Sequence, residues 1–211
     1  MGKERVNKII KLLTQQYPEI KTALIHSNPF QLLIATILSA QSTDKQVNKI
    51  TPLLFDKFKT PEDFANASLK EIEGMVSSVN FYKNKARYIS LLSKIIVKQY
   101  NNKVPDTMKE LIKLPGVARK TANVVLSHGF GKNEGIVVDT HVKRLTARLG
   151  FTTNTDPVKI EEDLMKIIPK KEWGGFAFRL ILHGRNICIA KKPKCNICII
   201  EKLCPSSTLK K

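Results

Sequence analysis

Residues 114–126 read LPGVARKTANVVL, and this stretch indicates a particular arrangement of helices. One short helix ends near Leu114, a Pro-Gly turn follows, and a second helix is predicted from Val117, which together make a helix–hairpin–helix. Gly116 permits the tight turn, because glycine adopts backbone angles that strain other residues. The backbone N–H groups at the start of the second helix can bind a phosphate. The segment therefore predicts a phosphate contact through Leu114, Gly116, Val117 and Arg119.

The second helix of this hairpin carries Lys120 at the border between two faces. Helical spacing predicts an apolar stripe of Val117, Thr121, Val124 and Val125 and a polar face of Arg119, Asn123 and Ser127. Partial burial at the border disfavours the charged form of a lysine, and a neutral amine is a nucleophile. Lys120 is therefore a candidate nucleophile. The alternative is a lysine whose apolar stem only covers the edge of the core.

The segment Val-Asp-Thr-His at residues 138–141 follows a glycine-containing loop. Asp139 is placed to cap a helix that runs to about Arg148, and aspartate is common at such positions. A carboxylate at a helix start can also face a cleft, where it stabilises developing positive charge or relays a proton. The pattern leaves both roles open for Asp139, and it assigns His141 to packing or capping.

Most of the remaining chain also has the pattern of helices. Apolar residues recur at helical spacing in residues 6–13 and in a long segment from about 83 to 100. Ser68 and Thr107 each precede a glutamate by three residues, which is typical of a capping box at a helix start. Residues 136–138 are the only strand-like stretch and are too short for a sheet. The sequence therefore predicts an all-α protein.

The charges of the chain are far from balanced. Its 211 residues include 36 Lys and Arg against 18 Asp and Glu, a formal net charge of +18. Such an excess favours nucleic acid as a partner, and the solubility of a lysine-rich protein is the alternative. No apolar run is long enough to span a membrane, and residues 1–8 lack the apolar segment of a signal peptide. We therefore expect a cytoplasmic protein that makes no membrane contact.

All four cysteines lie near the carboxyl end of the chain, at Cys188, Cys195, Cys198 and Cys204. In a reducing compartment such a group indicates metal ligands more than disulfides. Zinc sites usually have two close pairs of ligands, whereas here only the central pair is close. The uneven spacing favours an iron–sulfur cubane, with zinc as the second possibility. Lysines in the same loop, Lys191 and Lys194 among them, indicate a contact with phosphate.

Taken together, the lysine hairpin, the Val-Asp-Thr-His segment and the cysteine spacing resemble the endonuclease III family of helix–hairpin–helix DNA glycosylases. The resemblance covers nearly the whole chain, from LLIATILSAQSTD at residues 32–44 to the cysteine loop. It implies two helical lobes with DNA bound across the groove between them. One lobe would span residues 20–132, and the other would combine residues 1–19 with residues 133–211. It also implies one 4Fe–4S cluster held by the four cysteines.

The resemblance further implies the chemistry and the partner. Lys120 would attack the sugar C1′ of a flipped, damaged pyrimidine in double-stranded DNA, and Asp139 would stabilise the charged sugar. A Schiff base would then drive β-elimination, which cleaves the strand 3′ to the abasic site. Gln41 matches the residue that fills the gap left by the flipped nucleotide. Nothing in the sequence indicates an obligate oligomer, so we expect a monomer.

The chain departs from the family pattern at the segment Asn80-Phe81-Tyr82, where the family usually has Gly-Leu-Tyr. The family's leucine inserts into the duplex near the orphaned base, so Phe81 would occupy that position here. Residues 174–179 also lack the paired histidines that often precede the segment LILHGR.

Three other functions compete with this interpretation. The related adenine glycosylases lack a lysine at the nucleophile position and carry a further carboxyl-terminal domain. A non-catalytic DNA-binding module would use the hairpin alone and would need neither Asp139 nor a cluster. A zinc-bound RNA-binding protein would need an aromatic stacking surface, and none is evident. A strand-cleavage assay separates the second possibility from an enzyme.

Overall fold

A computed structural model describes residues 2–209 of the chain. Its α-helices are α1 (Lys3–Gln16), α2 (Pro29–Ser39), α3 (Asp44–Lys57), α4 (Pro61–Asn66), α5 (Leu69–Val76), α6 (Tyr82–Tyr100), α7 (Met108–Leu111), α8 (Arg119–Phe130), α9 (Thr140–Arg148), α10 (Pro157–Ile167) and α11 (Trp173–Asn186). Short 3₁₀ turns follow at Lys170–Glu172, Cys195–Ile197 and Glu201–Leu203. Since residues 2–209 contain no β-strand, the predicted all-α class is confirmed.

The helices belong to two compact units. One unit combines Met1–Lys21 with Asn133–Lys211, and the other is Thr22–Lys132. In the described part of the chain, every helix is too short or too polar to cross a bilayer.

The second unit, Thr22–Lys132, is built around α2. This helix is apolar on every side, and its residues from Leu32 to Leu38 are buried. A helix of that composition is stable only when neighbours cover its whole surface, and α3, α6 and α8 pack against it. The side chain of Asn28 caps its first turn by accepting a hydrogen bond from the N–H of Gln31 at 2.9 Å.

Helix α6 is the longest element of this unit and packs against α4 and α5. Its buried stripe includes Ile89, Leu92 and Ile96, as the apolar spacing predicts. Lys85 lies on the same stripe one turn earlier and is only 5% exposed. A lysine is rarely buried so completely unless its ammonium group finds acceptors.

Two of the helix starts predicted from capping residues are confirmed, and a third helix start has the same kind of cap. Ser68 forms a complete capping box with Glu71, and Thr107 accepts a hydrogen bond from the N–H of Glu110. Asp156 caps α10 ahead of Pro157, which occupies the first helical position. These helix starts depend on contacts between residues two or three positions apart, and for that reason the sequence predicts them well.

In the unit that combines Met1–Lys21 with Asn133–Lys211, α11 is the central element. It packs against α1 and α9, and its buried residues include Phe176, Leu180 and His183. Arg179 of the same helix is also buried, and its guanidinium lies 3.5 Å from the carboxylate of Glu172. A buried cation of this unit is therefore paired with a carboxylate that is only partly buried.

Candidate active site

The predicted helix–hairpin–helix is present in the structure. Its two helices are α7 and α8, and Gly116 in the turn between them has a φ of 77°. A Cβ atom at this position would lie 2.9 Å from the ring of Tyr88, which is too close for two carbon atoms. Gly116 is therefore required by both its backbone angle and the space around it.

The second helix of the hairpin begins at Arg119 and not at Val117, the start predicted from the sequence. Ala118 is extended, with φ −82° and ψ 165°, and the N–H of Val117 donates to the carbonyl of Leu114 at 3.1 Å. The side chains of Leu114 and Val117 are both buried. Any phosphate contact at these two residues therefore has to use their backbone, because their side chains anchor the turn in the core.

Lys120 lies in the first turn of α8, and its side chain is exposed. The predicted partial burial of Lys120 is therefore wrong. The predicted polar face also needs correction, since Asn123 is 3% exposed and belongs to the buried side with Val124 and Val125. Lys120 and Asn123 are three positions apart and lie on the same side of α8, but the buried residues of this helix begin only at Ala122, after its first turn. The amine can therefore be reached by a macromolecular substrate.

The first turn of α8 has the features of an anion site. No side chain within residues 2–209 caps this helix start. Its backbone N–H groups carry the positive end of the helix dipole. Arg119 and Lys120, both exposed, add two positive side chains to the same turn. Such a turn attracts an anionic group such as a DNA phosphate.

Asp139 is the N-cap of α9, as its pattern predicts. One carboxylate oxygen accepts hydrogen bonds from the N–H groups of His141 and Val142, each at 2.8 Å. The side chain is half-buried, so it is only partly shielded from solvent. Burial lowers the pKa of His141, and the Asp139 carboxylate partly opposes this effect. The capping role of Asp139 is therefore present, and its other oxygen is not used in the cap.

Gln41 and Phe81 lie in the unit Thr22–Lys132, just after α2 and just before α6 respectively. Both are exposed, and Phe81 is 60% exposed, an unusual fraction for an aromatic residue. Both have left-handed backbone angles, with φ of 56° for Gln41 and 57° for Phe81. The side-chain amide of Asn80 donates a hydrogen bond to the carbonyl of Gln41 at 2.6 Å. The structure thus brings Asn80, the neighbour of Phe81, into contact with Gln41, 39 positions earlier in the sequence.

The four cysteines form no disulfide with one another and line one cavity. The 3₁₀ turns Cys195–Ile197 and Glu201–Leu203 wrap the loop around it, and Cys188 follows α11 directly. Within residues 2–209, no three His, Cys, Asp or Glu side chains converge closely enough to hold a single metal ion. The candidate donors at this cavity are the four cysteine sulfur atoms.

Two basic side chains that the sequence did not single out approach these sulfurs. The Arg148 guanidinium donates a hydrogen bond to Sγ of Cys188 at 3.2 Å and another to the carbonyl of Ile189 at 2.8 Å. Nε2 of the buried His183 lies 3.3 Å from Sγ of Cys198. A hydrogen bond from a cation stabilises a thiolate, so the Arg148 contact suits a metal-binding loop. Burial lowers the pKa of His183 to about 4, so its imidazole is neutral and donates to the sulfur only when Nε2 carries the hydrogen.

Burial opposes ionisation of two of the thiols. It raises the pKa of Cys198 to about 11, and it also raises the pKa of Cys204. Repulsion between neighbouring thiolates adds to both shifts. A bound metal removes this penalty, because its positive charge favours the thiolate form. The site fits a metal group better than it fits four ionised cysteines without one.

Lys191 and Lys194, the predicted phosphate contacts of the cysteine loop, are both exposed. The backbone N–H of Lys194 donates to the carbonyl of Ile187 at 3.0 Å, which ties the loop to the end of α11. The side chains of Lys191 and Lys194 are therefore presented by a segment whose backbone is held in place.

In the unit Thr22–Lys132, the sequence pattern did not single out Lys85 of α6, which lies close to the segment of Gln41. Its ammonium group donates to the carbonyls of Leu38 at 2.7 Å and Ala40 at 2.6 Å, where α2 ends. The sequence contains a signal for it, because Lys85 precedes Ile89, Leu92 and Ile96 at helical spacing on an otherwise apolar stripe.

Comparisons with known proteins give a consistent result. Residues 34–170 match the family described as HhH-GPD superfamily base excision DNA repair protein. The chain is 49% identical over 205 residues to Endonuclease III of Synechocystis sp., covering 97% of this chain and 94% of that protein. It is 46% identical to Endonuclease III of Bacillus subtilis, covering 89% of this chain and 86% of that protein.

Solved structures show the same similarity. A trapped endonuclease III–DNA covalent intermediate matches with a TM-score of 0.91 and 44% identity, covering 98% of this chain and 97% of that chain. A non-covalent endonuclease III–DNA complex matches equally well. A thermostable thymine-DNA glycosylase, at 24% identity and a TM-score of 0.87, shares the fold.

Proposed function

The chain belongs to the HhH-GPD superfamily of base excision DNA repair proteins, within it to the endonuclease III family, and we propose that Lys120 and Asp139 carry its chemistry on oxidised pyrimidines. Membership makes the protein a DNA glycosylase and abasic-site lyase of base excision repair. The observation that supports the proposal most directly is the exposed amine of Lys120 in the first turn of α8, beside the hairpin.

In the proposed reaction, the damaged nucleotide is turned out of the duplex, because its C1′ atom is otherwise out of reach. The unprotonated Nζ of Lys120 forms a bond to C1′, and the bond from C1′ to the base breaks. The base leaves with the electron pair and takes up a proton. Opening of the sugar ring then leaves a Schiff base between Nζ and C1′.

The Schiff base makes the second bond cleavage possible. It acidifies the C2′ hydrogens, so that loss of one proton expels the 3′ phosphate and cleaves the strand. We assign to Asp139 the stabilisation of positive charge that develops on the sugar as the base departs. Its carboxylate is held by two backbone N–H groups at 2.8 Å, so its position is fixed before substrate arrives.

We propose double-stranded DNA containing a damaged pyrimidine or an abasic site as the partner, bound by one copy of the chain. The formal charge of +18 and the exposed side chains of Arg119, Lys191 and Lys194 support contact with phosphates. The solved endonuclease III structures that resemble this chain are complexes with DNA.

We also propose that Cys188, Cys195, Cys198 and Cys204 hold one 4Fe–4S cluster. Zinc would need its four sulfurs within about 2.3 Å of one ion. The four sulfurs line a shared cavity, and the uneven spacing of the cysteines along the chain favours a cluster whose irons each bind one thiolate. The proposed role of the cluster is to shape the loop that carries Lys191 and Lys194 and not to take part in bond breaking.

Borohydride trapping tests the assignment of Lys120. With a duplex that contains thymine glycol, reduction of the Schiff base should join protein to DNA covalently, and peptide mapping should place the adduct on Lys120. Lys120→Gln should abolish the adduct and strand cleavage while binding to the same duplex is retained, which separates lost chemistry from lost folding. Lys94→Gln, at another exposed lysine of the same unit, is the matched control and should behave as wild type.

Three results would contradict the proposal. An adduct that maps to another residue would remove Lys120 from its role. Base release without any trapped complex, on thymine glycol and on abasic sites, would match the reaction expected of an adenine-type glycosylase. Binding with neither release nor trapping would identify a passive DNA-binding module.

A further inference from the structure

The end of α2 and the start of α6 are joined by a network of hydrogen bonds centred on Asn80 and Lys85. The Asn80 side chain donates to the carbonyl of Gln41 at 2.6 Å, and its backbone N–H donates to the Ser42 hydroxyl at 3.1 Å. The Lys85 ammonium reaches the same hydroxyl at 3.3 Å and the carbonyls of Leu38 and Ala40. We call this network the clasp.

The clasp holds two residues whose backbones are strained. Gln41 and Phe81 both have positive φ without being glycine, and such a conformation costs roughly 1–2 kcal/mol per residue. Strain of this kind persists only where the surroundings enforce it, and it is concentrated at functional sites. Gln41 supplies one atom of the clasp, its carbonyl oxygen, and Phe81 directly follows Asn80 in the chain. The clasp is therefore the local structure that enforces both conformations.

Lys85 forms the buried base of the clasp. Its pKa is lowered by burial, so the charged form depends on the acceptors around it. Those acceptors include carbonyls at the end of α2, where the negative end of the helix dipole favours a cation. Lys85 therefore fixes the point at which the chain leaves α2 and turns toward Gln41. Asn80 then connects this point to the turn that carries Phe81.

We propose that Asn80 is a positioning residue that holds Gln41 and Phe81 together as one preformed wedge before DNA is bound. A preformed wedge lowers the conformational entropy lost on insertion into a duplex. The inference rests on the proposed function and on the expectation, from the family resemblance, that Gln41 and Phe81 occupy the space around a flipped nucleotide.

The proposal predicts slower release of a damaged base that is still in the duplex and little change in the cleavage of an abasic site, which has no base to displace. Asn80→Ala should slow single-turnover release of thymine glycol about three- to tenfold, the effect expected for one lost hydrogen bond. This slowing should appear below saturation. The enzyme concentration that gives the half-maximal rate should rise, and the maximal rate should change little. Cleavage of a preformed abasic site should change less than about twofold. Asn66→Ala, an exposed asparagine at the end of α4, is the matched control and should match wild type throughout.

A second background distinguishes positioning from direct contact with DNA. In the double variant Gln41→Ala/Phe81→Ala the wedge side chains are gone, so adding Asn80→Ala should have no further effect. A full additional loss in that background would show that Asn80 acts on DNA directly and would overturn the proposal.

Hydrogen exchange on the free protein gives a readout that needs no DNA. Asn80→Ala should speed exchange of the backbone amides of residues 40–42 and 81–82 while the thermal unfolding temperature stays within about 2 °C of wild type. Unchanged exchange, or wild-type kinetics of Asn80→Ala on thymine glycol, would overturn the proposal while leaving the proposed function intact. An inactive wild-type protein would instead contradict the proposed function.

Discussion

Substitutions at Asp139 separate its cap from its proposed chemistry. Its carboxylate accepts two backbone hydrogen bonds at 2.8 Å at the start of α9. Asparagine caps a helix as well as aspartate does, so Asp139→Asn should lose only the attraction between the charge and the helix dipole, about 0.5 kcal/mol. Asp139→Ala loses the cap as well, which should cost about 1–2 kcal/mol.

The two variants should therefore differ in stability but not in rate. For a chain of this length, 1 kcal/mol corresponds to about 2–4 °C in the unfolding temperature, so Asp139→Ala should unfold about 3–6 °C lower and Asp139→Asn about 1–2 °C lower. Both lack the carboxylate charge and should slow base release about a hundredfold or more, since the loss of one preorganised electrostatic contact is worth about 2.7–4 kcal/mol in the transition state.

Scanning calorimetry and single-turnover base release on a thymine glycol duplex measure the two effects. DNA affinity, measured by fluorescence anisotropy, should remain near that of wild type for Asp139→Asn. If Asp139→Asn released the base at the wild-type rate while Asp139→Ala was less stable, Asp139 would be a cap alone, and the assignment of its charge to the sugar would be refuted.

Three further predictions concern the cluster, the affinity and the hairpin. Protein purified from its native host should contain about four irons per chain with acid-labile sulfide, and Cys198→Ser should lower both the iron content and the DNA affinity; stoichiometric zinc without sulfide would contradict the cluster. The logarithm of DNA affinity should fall linearly with the logarithm of salt concentration, with a slope of several units if about five or more phosphates are neutralised, and a flat response would mean that the charge excess serves solubility. Gly116→Ala should lower the free energy of unfolding by at least about 1–2 kcal/mol because of its positive φ and the ring of Tyr88. Gly74→Ala, inside α5 with no atom within 4 Å of the added Cβ, should instead raise it by about 0.5–1 kcal/mol, and equal effects at the two glycines would show that the packing around Gly116 is unimportant.

Contacts between near neighbours in the chain were predictable from the sequence. The caps at Ser68, Thr107 and Asp156 join residues two or three positions apart, and the buried stripe of α6 follows from its helical spacing. The hairpin with Gly116 follows from a Pro-Gly turn between two apolar segments. Each of these features needs only a helix or a turn, whose geometry is the same in every protein.

Exposure of individual side chains on a predicted helix was less predictable. The sequence pattern placed Asn123 on the polar face of α8 and Lys120 at its border, whereas Asn123 is buried and Lys120 is exposed. Polarity indicates which face of a helix meets solvent only on average. Which positions of α8 are buried depends on where α2 and α7 pack against it within the same unit.

The sequence by itself determined the helices, the group of cysteines and the family, since each depends on residue types at short spacing or on their order along the chain. Only the tertiary structure decided which distant residues meet. Asn80 bonds to Gln41 across 39 positions, and Arg148 bonds to Cys188 across 40. Such contacts depend on how whole helices pack, because the energy that selects a packing is spread over many apolar side chains and is not written in any one segment.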